Sequence, residues 1–118
     1  MKSRFDILTD LIELKRPFDD IHSDLIRLPG KFEPGDVPTL TRSHATRLLH
    51  EFLEDRLSAS DLDQWASLIE CRDDIQFEGE SQALREMVFQ LAHPLVTQPL
   101  DAGLAYELII ALANETEA

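Results

Sequence analysis

Histidine and carboxylate side chains are the residues here whose types could do chemistry, and their spacing decides which chemistry is open to them. The chain has four histidines, His22, His44, His50 and His93. A zinc hydrolase places two histidines four apart on one helix face, with a glutamate as base and a third ligand elsewhere. His44 and His50 are six apart, so they do not stack on a helix. His50 has Glu54 rather than a second histidine at the fourth position, and His93 precedes Pro94 at a helix end, where its charge suits the helix dipole. Structural or surface roles are expected for all four, with no metal and no cofactor.

Glu70, Asp73, Asp74, Glu78 and Glu80 fall within eleven residues and form the densest acidic cluster. A calcium loop alternates its carboxylates, turns on a glycine at the sixth position and closes on a glutamate at the twelfth. This segment does none of these. Glu70 and Asp74 share a helical spacing, but a solvated helix end or a partner-facing patch suits them better than a cation site. Arg72 and Arg85 are the nearby cations expected to neutralise part of the charge. Cys71 is the only cysteine, which excludes an internal disulfide, and its acidic neighbours disfavour a reactive thiolate. Glycine-rich phosphate loops, a nucleophile elbow and an ordered Ser/His/Asp set are all absent, so no catalytic residue is assigned and the chain reads as a non-enzyme.

Helical periodicity must position these groups. Apolar stripes predict helices from Ser3 to Leu14 and from Phe18 to Leu28, separated by Pro17. Two glycines and three prolines between Pro29 and Pro38 predict an irregular connector with Phe32 and Val37 tucked inward. Thr41 caps a helix to about Arg56. Ser58 or Ser60 caps the next helix, to Glu70, and Ser58 with Asp61 at the third position resembles a capping box. Ile75 to Phe77 reads as a short extended connection, Glu80 to Ala92 as a helix stopped by Pro94, and Thr97 to about Asn114 as a last helix with Pro99 in its first turn. The last helix has the broadest apolar set, which predicts a central, heavily buried element, and the tail Glu115 to Ala118 is expected to fray. Trp65, Phe52, Met87, Val88, Leu91 and Leu108 are the expected core. The fold class is all-α, a compact bundle of about five helices, six if Phe18 to Leu28 is counted, in one domain spanning residues 1–118.

The formal net charge is −12 over 118 residues. It is uneven: residues 1–57 carry nine basic and eleven acidic side chains, whereas residues 58–118 carry two basic and twelve acidic ones. Such a field repels phosphates and anionic lipid and attracts basic partners. A short turn between the helices around Ser58 could mark a DNA-binding pair, but the second helix offers Asp61, Asp63, Gln64 and Glu70 where a recognition helix needs cations and amides. Nucleic acid is therefore not an expected partner. Apolar runs such as Leu108 to Ala113 are too short for a bilayer span, and no signal-peptide core follows Met1, so no membrane partner and a cytoplasmic location are expected.

The run from Leu57 to Ile75, with Trp65-Ala66 followed by Glu70-Cys71-Arg72-Asp73-Asp74, resembles a pattern in small uncharacterised bacterial proteins. In size, acidity and helicity the whole chain also resembles bacterial immunity proteins that neutralise toxins. That resemblance implies a basic protein, such as a cationic nuclease toxin, bound through an acidic face. The residues expected to form this face are Asp61, Asp63, Glu70, Asp73, Asp74, Glu78 and Glu80. The alternative is a structural or adaptor domain whose acidity serves solubility, and the oligomeric state stays open.

Overall fold

Capping chemistry sets most of the helix boundaries. The computed structural model describes residues 4–14, 16–27, 37–72 and 74–117. Helix α1 spans Arg4–Glu13 and α2 spans Phe18–Ile26, entered through Pro17 at φ −52°. Ser3, Leu28 and Phe32 lie outside the described residues, as does all of the Pro/Gly-rich connector except Val37 and Pro38. Helix α3, Arg42–Leu53, opens on Thr41, whose hydroxyl accepts the His44 N–H at 3.1 Å while His44 Nδ1 accepts the Thr41 N–H at 3.1 Å. A histidine thus fills the place that glutamate usually takes in a capping box. The helix stops short of Arg56 because Asp55 enters the left-handed region at φ +63°, and the Arg56 N–H turns back to the Glu51 carbonyl.

Helix α4, Ala59–Glu70, has the capping box expected for Ser58 and Asp61, with reciprocal bonds of 3.0 and 2.9 Å. Ser81 caps α5, Gln82–Ala92, by accepting the Leu84 N–H at 3.1 Å. The last helix, α6, begins later than the sequence suggests, at Ala102, and runs to Glu117. Thr97 does not cap it. Its hydroxyl donates to the His93 carbonyl at 2.8 Å and so closes α5, leaving Asp101 to accept the Leu104 N–H at 2.8 Å.

The chain is all-α, with six α-helices among the described residues. A parallel pair of two-residue strands accompanies them, β1 (Thr39–Leu40) and β2 (Gln76–Phe77), in the register Thr39 to Gln76 and Leu40 to Phe77. A single tight turn, Glu78–Glu80, leads from β2 toward α5. Helix α4 packs most extensively on α5, α3 on α6, and α1 on α2. Trp65 has no accessible surface and shares one core with the buried Leu8, Leu11, Leu48, Leu49, Leu62, Ile69, Leu84 and Met87. The indole N–H donates to the Leu11 carbonyl at 2.9 Å, so the largest core side chain also ties α4 to α1.

Val88, Leu91 and Leu108 are buried as expected, whereas Phe52 is only partly buried at the edge of the core. Helix α6 is not central. It rests on α3 and α5 with Leu104, Ala105, Leu108 and Leu112 inward, and its opposite side leaves Tyr106 and Ile110 each 57% exposed. Its broad apolar set reflects residues on both sides of the helix, of which one side is covered.

Trp65→Ala should destabilise the fold by about 3–5 kcal/mol, combining lost burial with a cavity. Trp65→Phe should cost less, about 1–3 kcal/mol, mainly through the orphaned Leu11 bond. Chemical denaturation of the three proteins checks both values, and a Trp65→Phe variant as stable as the native protein would show that the indole hydrogen bond contributes nothing.

Candidate functional site

The segment after α4 reverses direction around one buried carboxylate. Asp74 is only 4% exposed. Its Oδ1 takes the Arg72 Nε at 2.8 Å, and its Oδ2 takes Arg72 Nη2 and Arg4 Nη1, each at 2.9 Å. Burial is the largest single influence and opposes ionisation. The Arg72 hydrogen bonds and charge, joined by the Arg4 bond, outweigh it and hold the carboxyl below the ordinary aspartate value. Asp74 therefore joins the first residue of α1 to the approach to β2. The expectation that it belongs to an exposed acidic face is overturned, because two arginines already occupy both of its oxygens.

The other acids separate as well. Asp61 is committed to its cap, and Asp63 accepts the Ser67 hydroxyl at 3.4 Å. Both lie near the start of α4, about 10–14 Å along the axis from Glu70 at its end. Asp61 lines a shallow pocket with Arg16, Phe18 and Leu57, away from the acidic cluster. Glu70 is exposed, and its Oε1 lies 2.6 Å from His93 Nε2, linking the ends of α4 and α5. Glu78 Oε1 accepts the Arg42 backbone N–H at 3.0 Å. Glu80 is exposed at φ +55°, immediately after Gly79 at the same φ. Asp73 lies outside the described residues. Of the seven acids expected to form one face, Glu70 and Glu80 line the same groove.

This is a groove of about 750 Å³ between the end of α4, β2 and the start of α5. Ile75 and Phe77 supply apolar wall, and Arg85 lies over the Phe77 ring with its guanidinium carbon 5.2 Å from the centroid. Arg72 also lines the groove, its charge answered by Asp74. The groove thus combines two surface carboxylates with one arginine fixed by an aromatic ring. Among the described residues no three His, Cys, Asp or Glu side chains come together as metal ligands. Cys71 is exposed at the end of α4. Burial chiefly lowers the His44 pKa, opposed by the charge of Glu13, and a neutral ring is the form whose Nδ1 can accept the Thr41 N–H.

A second polar knot escaped the sequence reading. Glu115, expected to fray, accepts the Ser81 hydroxyl, the Ala83 N–H at 2.9 Å and Arg42 Nη1 at 3.0 Å. The Ser81 bond foremost, then the Ala83 N–H and Arg42, hold its pKa below the ordinary glutamate value. One carboxylate thus fastens α6 to the N-termini of α3 and α5. Its sequence signal is absent, since its partners lie more than thirty residues away.

No family model, curated protein or solved structure matches the chain. Among the described residues, no helix is long and apolar enough to cross a membrane.

Because the folded pKa of Asp74 lies below its unfolded value, its stabilisation is present above the unfolded value and is lost as pH falls through the folded one. Asp74→Asn should cost about 1–3 kcal/mol at neutral pH. The difference from the native protein should shrink across the acid range below the ordinary aspartate value. Urea denaturation at several pH values reads this directly, and a gap independent of pH would refute the charge-based account.

Proposed function

We propose that this protein is a non-enzymatic, cytoplasmic binding domain that engages a basic protein, in the manner of an immunity protein that neutralises a cationic toxin. The observation that carries the reading is how the few cations of residues 58–118 are used. Arg72 is consumed by Asp74, and Arg85 is stacked on Phe77, while Glu70, Glu80, Glu86, Asp101 and Glu107 lie at the surface. That surface favours a cationic protein over nucleic acid or anionic lipid, since it repels phosphate. Asp63 and Glu78 remain partly accessible and can add to the field even while engaged in internal bonds.

A second reading, a structural or adaptor domain whose acidity serves solubility, is favoured by one observation. Asp61, Asp63, Asp74 and Glu78 are all engaged with groups of the chain itself.

Capture of the partner from the native cells, followed by stopped-flow association, separates the two. A basic partner should associate quickly, and its rate should fall about tenfold or more as rising salt shortens the screening length. The immunity form adds that the captured protein is toxic when expressed alone and harmless when expressed with this chain. A partner of net negative charge, or an association rate indifferent to salt, would overturn the binding reading.

A further inference from the structure

We propose that the groove beside β2 receives an extended, lysine- or arginine-bearing segment of the partner as a third strand; this rests on the basic-partner reading above. The backbone carries the first half of the argument. The Gln76 N–H donates to the Pro38 carbonyl at 3.0 Å, so Gln76 turns its amide toward β1. Successive amides along a strand point to opposite sides, which turns the N–H groups of Ile75 and Phe77 away from β1. Ile75 and Phe77 both line the groove. On the far side of β1 the Thr41 N–H is already taken by His44 Nδ1, which leaves that edge short of donors. Among the described residues, the edge of β2 that faces away from β1 therefore runs along the groove, with Phe77 partly exposed and Ile75 buried behind it.

Charge selects the occupant. Glu70 and Glu80 line the groove along this edge; Arg72 is held by Asp74, Arg85 lies over the Phe77 ring, and Glu70 stays exposed beside His93. Main-chain bonds to β2 would hold any extended peptide, whereas alternate cationic side chains reaching the two glutamates favour a basic one. A second copy of this chain would bring the same pair of glutamates and its own net charge of −12 to the edge, which disfavours self-pairing.

The test uses the full chain, labelled with nitrogen-15, and three synthetic probes. These are a short peptide alternating Lys and Val, the same peptide N-methylated along one edge, and a peptide alternating Glu and Val. At low salt the Lys–Val peptide should shift the amides from Ile75 to Glu80 and that of Arg85. N-methylation should weaken binding about tenfold, as loss of one or two main-chain hydrogen bonds implies. The Glu–Val peptide should not bind. The variant Glu70→Gln with Glu80→Gln, checked for an unchanged spectrum outside the groove, should lose affinity for Lys–Val to a similar degree. Shifts spread evenly over the acidic surface of α5 and α6, with no effect of N-methylation, would overturn the strand proposal while leaving the basic-partner reading standing. Equal binding of the Lys–Val and Glu–Val peptides would overturn the charge selection, and with it the proposed occupant.

Discussion

The carboxylate of Asp74, held between Arg4 and Arg72, is the contact on which the arrangement of this fold turns. Removing a carboxylate from water is costly, and two arginines that keep some access to solvent offset that cost through bidentate and single charge-assisted bonds. The consequence is geometric. With the chain pinned immediately after α4, Gln76 and Phe77 come alongside Thr39 and Leu40, and the tight turn of Gly79 and Glu80 redirects the backbone into α5. The groove between α4, β2 and α5 is the space that this reversal leaves.

The same interaction changes the meaning of the net charge. A chain at −12 suggests a uniformly acidic surface, yet much of that charge works inside the molecule. Asp61 caps a helix, Asp74 fixes a reversal, and Glu78 and Glu115 meet at Arg42, where they gather the N-termini of α3 and α5 against the end of α6. Acidity is thus partly architectural. What reaches solvent is concentrated by position rather than by number, and Glu70 and Glu80 matter because the groove they line runs along a strand edge.

How much of this was legible in the sequence follows from the range of each interaction. The helices were legible because their apolar stripes repeat every turn and their caps at Thr41 and Ser58 act over three residues. The start of α6 was misplaced because Thr97 and Asp101 are both plausible caps locally, and only the carbonyls of Gln90 and His93 decide which way Thr97 bonds. The central position expected for α6 failed because a one-dimensional apolar count does not say which side of a helix finds a neighbour. The β1–β2 pair was half visible, since Ile75 to Phe77 reads as extended while two residues at Thr39 are too few to show a period. Of the site, the residues of the acidic cluster were found but not their partners. Arg4 is seventy positions from Asp74 and Arg42 seventy-three from Glu115, distances over which no local pattern carries information.

Trp65 is the only tryptophan, and its surroundings make it an optical probe of one seam in particular. Its indole is sealed from water and bonded to the Leu11 carbonyl, so its emission in the folded protein should lie toward the blue and should redden once α1 lifts from α4. Helix α6 packs against α3 and α5 instead, with its polar fastening at Glu115. Fluorescence therefore reports the α1–α4 seam and is nearly blind to a loosening of α6, whereas far-ultraviolet ellipticity registers the loss of either helix. A transition seen by ellipticity before it is seen by fluorescence would show that a helix outside the α1–α4 seam, such as α6, leaves first.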